Sequence, residues 1–265
     1  IELTIFLPNI SKDIRNKLIE VAICDTRFTP TLNFNEIFSY VKSDFKKVKD
    51  LQLIMEKIMN SILEESKKFG LENSFYLHMM PNLGSKEGRE RMKYATQDEF
   101  GTTDIQFIIN GAIKEAGLLL LLNKYISTKT GEYPFGSKFN VRNAPRTLNG
   151  LAKLCREKIP SDQMPLLIGV GDTVTSAKDT KSSSWLRGGS DRGFLTLIQR
   201  LGELYKKDNQ VIFVNSSNDQ VLRPRVKGSD MKGISDPNDD LKFNMIINHG
   251  PEEYIEWFKQ LTNKF

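Results

Sequence analysis

Three charged residues stand where chemistry on a phosphate could be done: Lys114, Asp172 and Asp191. Asp172 follows P-L-L-I-G-V-G, in which Leu166-Leu167-Ile168 is a continuous apolar run. A short apolar run closed by glycines reads as a buried strand of a parallel sheet. Open α/β sheets bind ligands beyond the carboxyl ends of their strands. Asp172 is then either a ligand for a hard cation, since Mg²⁺ takes one or two protein carboxylates, or a strand-end Asp that caps the next turn or helix. Lys114 opens a helical pattern, a mildly unfavourable place for a cation. It is either a point charge for phosphate oxygens or a surface lysine. Asp191, after Ser190, is either a second acid or the N-cap of the next helix. In chain order, a lysine, a strand-Gly-Asp and an acid opening a helix suit phosphoryl chemistry. That chemistry depends on positioning and on neutralising the phosphoryl oxygens, with Mg²⁺ as Lewis acid.

The elements that must hold these residues are written in the pattern around them. A strand over Ile105–Ile109 and the turn Asn110-Gly111 precede a helix from about Ala112 to Tyr125. Its leucines, Leu118, Leu119, Leu121 and Leu122, predict a well-buried helix. A short helix over Leu148–Arg156 leads to the Leu166–Ile168 strand. The polar stretch 177–189 is an excursion, with Trp185 and Leu186 suggesting a hairpin. Asp191 opens a helix that puts Phe194, Leu195, Ile198 and Leu201 on one face. Gln210–Val214 is the next strand, Met245–Ile247 a final edge strand, and Pro251 starts the last helix. Alternating helix and strand argue for a doubly wound parallel sheet.

The first part of the chain reads differently. Ile1–Leu7 is a loose strand pattern, and Ser11–Ala22 is helical, with Ile14, Leu18 and Val21 on one stripe. Asp44–Phe69 is the longest helix, with Leu51, Ile54, Ile58 and Ile62 as its core stripe and Gly70 as its stop. Ser74–Met79 is a strand ended by Pro81-Asn82. Gly84–Tyr94 is basic and reads as a solvated loop or helix face, or as a sugar- or phosphate-facing surface. A domain boundary falls near residue 110.

Composition narrows the function classes. The 265 residues carry a net charge of +5, with acids and bases interleaved. That fits an anionic small molecule better than nucleic acid, which calls for a clustered basic stripe. The most apolar stretch, Leu118–Leu122, is far short of the ~20 residues of a membrane span, so no membrane partner is expected. Cys24 and Cys155 make no disulfide framework, which suits a reducing cytoplasm. His78 and His249 are the only histidines, and neither belongs to a zinc pattern.

The sequences N-G-A-I-K-E-A-G around Lys114 and G-V-G-D-T-V-T-S around Asp172 resemble the third and fourth motifs of the haloacid-dehalogenase-like phosphatases. Within them, N-S-F-Y-L-H-M-M-P-N-L-G, G-T-T-D-I-Q-F, K-E-A-G-L-L-L-L-L-N-K-Y and R-G-G-S-D-R-G-F-L-T-L-I-Q look like the glucosylglycerol-phosphate phosphatases, over about residues 73–215. The resemblance implies an α/β fold, part of a haloacid-dehalogenase-like doubly wound core over 110–265, with an α+β cap over 1–109. It implies a Mg²⁺-dependent phosphomonoesterase that works through an aspartyl-phosphate on a small sugar phosphate. Lys114 would balance phosphate charge, Asp172 would serve catalysis by holding the metal, and Asp191 would be the second metal-side acid. His78, Asn82, Thr102, Thr103 and Asp104 are the cap's substrate-binding candidates. The family's first motif, an apolar strand ending in D-x-D, has no counterpart here. Asp25-Thr26-Arg27 is its nearest imitation, so a chain lacking the nucleophile, and inactive alone, is expected. Two alternatives stay open: a non-catalytic sugar-phosphate binding module, and a related trehalose- or sucrose-phosphate phosphatase.

Overall fold

The computed structural model describes residues 11–24, 27, 29–41, 44–86, 89–97, 100–179, 182–215, 236 and 238–263. The strand expected over Ile1–Leu7, the pair Asp25-Thr26, the side chains of Ile14, Leu18 and Val21, and most of the polar stretch from Val221 lie outside them. The chain forms two compact units that meet in sequence at Asn110 and Gly111.

The first unit contains α1 (Lys12–Ala22), β1 (Ile23–Cys24), β2 (Thr31–Asn33), α2 (Asn35–Val41), α3 (Phe45–Lys68), β3 (Phe75–Met80), β4 (Asn82–Lys86), β5 (Arg89–Met92) and β6 (Asp104–Ile109). Four strands form an antiparallel sheet in the order β1-β2-β6-β3. Alternation along the strands sends Leu77, Met79, Ile105 and, partly buried, Phe107 into a core with Val48, Leu51 and Met55 of α3. The opposite face of the sheet carries Thr31, Gln106 and His78 in one cross-strand row, and Asn33, Asp104 and Met80 in the next. Asp44 caps α3 by accepting from the Lys47 N–H at 3.2 Å.

The core stripe expected on α3 is met in part: Leu51 is buried and Ile58 and Ile62, partly buried, pack against the core, whereas the fully buried positions around Leu51 are Val48, Gln52 and Met55, and Ile54 is only partly buried. Gln52 interrupts it with purpose. Its amide nitrogen lies 3.2, 2.7 and 3.0 Å from the carbonyls of Lys93, Phe100 and Thr102. Its oxygen accepts from the Ala95 N–H at 2.8 Å. A buried side-chain amide thus satisfies the irregular backbone leading into β6, which lacks sheet partners of its own. The basic stretch after Pro81 is a hairpin, β4 with β5, rather than a loop or helix face. Its charges fall on strands whose polar faces stay partly wet.

The second unit contains α4 (Lys114–Thr130), α5 (Leu148–Lys158), β7 (Ile168–Gly171), β8 (Thr175–Lys178), β9 (Trp185–Gly188), α6 (Arg192–Tyr205), β10 (Gln210–Val214), β11 (Met245–Ile247) and α7 (Pro251–Thr262). Three strands form a parallel sheet in the order β11-β10-β7. Val211 and Phe213 of β10 enter a core with α4, α5 and α6. Ile212 and Val214 pack toward Tyr254 and Trp257 of α7. Helices therefore cover both faces of the sheet, which is what parallel strands buried on two sides require. The excursion is an antiparallel hairpin, β8 with β9.

The strand expected at Leu166–Ile168 begins two residues later. Pairing with β10 runs from Ile168 to Gly171, while Leu166 and Ile168 are 57% and 47% exposed. The reason is that β7 lies at the edge of the described sheet and its buried positions are the glycines. A Cβ on Gly169 would lie 2.5 Å from Ile198 Cδ1 of α6. The glycines that looked like punctuation are the strand's packing surface. The leucine-rich helix α4 is also less buried than expected. Leu118, Leu119, Leu122 and Ile126 face the core, but Leu121 and Tyr125 stand largely exposed.

Candidate active site

Lys114, Asp172 and Asp191 come together beyond the carboxyl end of β7. Lys114 is the first residue of α4, and its Nζ forms an ion pair with Asp191 Oδ1 and lies 3.5 Å from Ser190 Oγ. The other oxygen of Asp191 accepts from the N–H groups of Asp172, at 2.9 Å, and Thr173, at 3.0 Å. In return, the Asp191 N–H donates to the Thr173 carbonyl at 3.1 Å. Asp191 stands at the N-cap position of α6 but makes no side-chain cap hydrogen bond. Its carboxylate turns away from its own helix to tie together the start of α4 and the turn after β7.

The local sequence makes this closeness possible. A Cβ on Gly171 would lie 2.8 Å from Asp191 Cβ, so the strand end must be glycine for α6 to start there. Gly189 has φ +97° and sits over the Thr173 carbonyl, where a side chain would collide with backbone at 2.2 Å. Glu115, the neighbour of Lys114, reaches Gly193 in the first turn of α6, where its oxygen occupies the space a Cβ would need. A carboxylate is electrostatically favoured at a helix N-terminus.

Asp172 is half-buried, and its Oδ1 accepts from the Thr173 hydroxyl at 2.9 Å. The element after it is β8, so Asp172 caps no helix. Asp191 is 4% exposed. Its Oδ2 already accepts two N–H donors and its Oδ1 accepts Lys114, which leaves little lone-pair capacity for a cation. Among the described residues, no group of three His, Cys, Asp or Glu side chains could hold a metal ion. The donor set fits a cation that takes one protein carboxylate, from Asp172, with the rest of its shell from water and phosphate, as Mg²⁺ often does.

Around this centre lie residues that the sequence pattern did not single out. Arg192 Nε donates to the Gly188 carbonyl at 3.0 Å, its NH2 donates to the Thr175 carbonyl at 3.0 Å, and its NH1 pairs with Asp239. Arg187 Nε pairs with Asp236 at 2.5 Å. That guanidinium holds the Asp236 carboxyl below the usual carboxylate range. The two arginines fasten the segment before β11 to the β8–β9 hairpin. R-G-G-S-D-R is a strong charge signal in the sequence, but its partners lie some fifty residues away and could not be named from it. Cys155 is buried and burial pushes its thiol up to about 12, so it is an inert core group.

The five remaining candidates all lie in the first unit. Asn82 Nδ2 donates to the Met79 carbonyl at 3.1 Å and its Oδ1 accepts from the Gly84 N–H at 2.8 Å, bracing the turn between β3 and β4. Thr102 Oγ1 donates to the Pro81 carbonyl at 2.6 Å and accepts from the Lys93 N–H at 2.9 Å. His78 Nδ1 is 2.8 Å from Glu90 Oε1, and Glu90 Oε2 accepts from the Met79 N–H at 2.7 Å. Thr103 Oγ1 and Asp104 Oδ1 are buried without a hydrogen-bond partner. Burial pushes the Asp104 carboxyl up to about 6, with Thr103 beside it acting the other way.

A lysine and two aspartates gathered at the end of a parallel strand, beside the N-termini of α4 and α6, make the candidate site of an α/β protein. The chain matches the glucosylglycerol-phosphate phosphatase family over residues 2–262 and belongs to that family. It is similar to the glucosylglycerol-phosphate phosphatase of Synechocystis sp. (strain ATCC 27184 / PCC 6803 / Kazusa), at 38% identity over 259 residues. That alignment takes in 93% of this chain and 61% of the relative, so the chain spans about three-fifths of the relative's length. No solved structure matches the chain.

Proposed function

We propose that the protein is a Mg²⁺-dependent phosphomonoesterase that releases phosphate from glucosylglycerol 3-phosphate. The observation that carries this reading is the Lys114–Asp191 ion pair set against Asp172 at the carboxyl end of β7. Family membership supplies the reaction class and the substrate. Lys114, half-exposed on the open side of its ion pair, would meet a phosphate oxygen with a point charge. Asp191 holds the lysine upright and fixes the 172–173 turn. Asp172 would hold the metal, which supplies Lewis-acid withdrawal of phosphoryl charge and a fixed phosphate orientation. In this reading residues up to 109 form a cap of haloacid-dehalogenase-like type, and the rest of the chain is part of the core. The sequence contains no D-x-D, so the aspartyl nucleophile is assigned to the part of the protein beyond these residues. The enzyme would work in the cytoplasm.

The test is phosphate release by the full-length protein with and without Mg²⁺, comparing glucosylglycerol 3-phosphate with trehalose and sucrose phosphates. Lys114→Ala and Asp172→Ala should each abolish most turnover. Unchanged turnover in both variants would refute the site. The lack of D-x-D supports a second reading, a sugar-phosphate binder without turnover. Calorimetric binding with no phosphate release from the full-length protein would favour it.

A further inference from the structure

Asp172 and Asp191 stand nineteen positions apart, and the whole β8–β9 hairpin lies between them. They nevertheless belong to one centre, because Asp191 Oδ2 accepts from the N–H groups of Asp172 and Thr173. Bringing the ends of such a loop together costs conformational entropy. A hairpin free to splay at its base would let the two acids drift apart. The base of the hairpin, where Thr175 pairs with Gly188, is therefore the place to look for a restraint.

Arg192 supplies it with one side chain. It is the first residue of α6 and the immediate neighbour of Asp191. Its Nε donates to the Gly188 carbonyl and its Nη2 to the Thr175 carbonyl, each at 3.0 Å. These carbonyls belong to the two members of the hairpin's first pair, so one planar fork spans both strands. Its Nη1 pairs with Asp239, and the two side chains are 13% and 6% exposed. Asp239 is itself fixed: its Oδ1 accepts from the Leu241 N–H, and its own N–H donates to the Asp236 carbonyl, both at 3.1 Å. About two turns along α6, Gln199 holds the same segment. It donates to the Asp240 carbonyl at 2.7 Å and accepts from the Lys242 N–H at 2.9 Å. A lysine at position 192 could keep the ion pair but not the span across both strands.

We propose that Arg192 is a positioning residue: its guanidinium, anchored by Asp239, clamps the base of the β8–β9 hairpin and so sets Asp191 against the 172–173 turn. What the two acids then do rests on the phosphatase reading; how they are set does not. The clamp matters because a misplacement of about 1 Å at a reacting centre can cost about 10²-fold in rate.

The experiment compares the full-length wild type with Arg192→Lys, Asp239→Asn and Gln199→Ala, by hydrogen exchange and by steady-state phosphate release. In Arg192→Lys the amides of Asp172 and Thr173, which Asp191 holds, should exchange about tenfold faster, while those of β10 stay unchanged as an internal reference. At a temperature well below unfolding, kcat should fall about tenfold with KM within about twofold of the wild type. Asp239→Asn keeps both carbonyl contacts and should give a smaller change of the same kind. It keeps the test available should Arg192→Lys fail to fold. Gln199→Ala loosens the segment further along α6 and leaves the hairpin base intact. It should lower the melting temperature without changing kcat or the exchange of the 172–173 amides. Unchanged exchange at 172–173 in both Arg192→Lys and Asp239→Asn overturns the clamp. So does an equal effect from Gln199→Ala, which would reduce these contacts to general support of the fold. Faster exchange with kcat unchanged overturns the part of Arg192 in turnover. A wild type that releases no phosphate overturns the phosphatase reading instead, and hydrogen exchange still decides the clamp.

Discussion

Asp191 and Asp104 are equally buried, at 4% exposure each, and they are opposites. Asp191 accepts from a lysine and two backbone N–H groups, which between them use most of its lone pairs. Asp104 has an oxygen with no partner, and burial raises its carboxyl to about 6. The first carboxylate stabilises the fold by holding two chain segments in register. The second costs stability when ionised. Burial alone therefore says little about what an acid does; the inventory of donors around it does.

The contrast can be broken most severely at the proposed phosphate centre. On the proposed reading, Lys114→Ala and Asp172→Ala in the full-length protein should each lower phosphate release by about 10²–10³-fold, the scale of removing one preorganised charge-stabilising group. Steady-state release assays check this. Next in size, Asp191→Ala should destabilise the protein by about 3 kcal/mol, since it leaves two backbone N–H groups and the turn after β7 unpaired. Chemical denaturation measures it, and a loss within error would mean that the ion pair is dispensable.

At Asp104 the sign should reverse. Its folded-state carboxyl lies near 6 and its unfolded value near 4. The protonated form is the one that the fold favours. The stability is fully present below the unfolded value and is lost as pH rises through the folded one. Asp104→Asn should therefore stabilise the protein at pH 8 by about 2–3 kcal/mol, with the gain fading towards pH 4. Melting curves across that window test it, and a pH-independent effect would remove the link to ionisation. The smallest expected change is Gly171→Ala. A Cβ there would meet Asp191 Cβ at 2.8 Å, costing about 1–2 kcal/mol through overpacking. Because Asp191 would be displaced, a matching fall in turnover is expected beside the small change in stability.

Much of the second unit was legible in the chain. The order of helices and strands from Lys114 to Thr262 is set by apolar spacing, Asn110-Gly111 and Pro251, and the excursion around Trp185 is the hairpin it resembled. These signals are local, because each element's period and its breakers lie within its own residues. The failures have a common cause. Leu166 and Leu167 look like the strand, but the pairing starts at Ile168, because the close approach of α6 gives the buried positions to Gly169 and Gly171. Gln52 sits in a helix stripe that reads as apolar, because its partners are backbone carbonyls 41 to 50 residues away. β1, β2 and α2 are too short to leave a periodic trace.

The candidate site divides along the same line. Residue types and their order in the sequence marked out Lys114, Asp172 and Asp191, and the resemblance added the five residues of the first unit. Only the tertiary structure separated their roles. It gave Asp191's oxygens to Lys114 and the 172–173 turn, gave Asn82 and Thr102 to the backbone around Pro81, attached His78 to Glu90, and left Thr103 and Asp104 with unpaired oxygens. The physical reason is that a residue's chemistry is written in its side chain, whereas its pairing depends on donors and acceptors brought from elsewhere in the chain. Sequence determined which groups were present and in what order; packing decided which of them were satisfied.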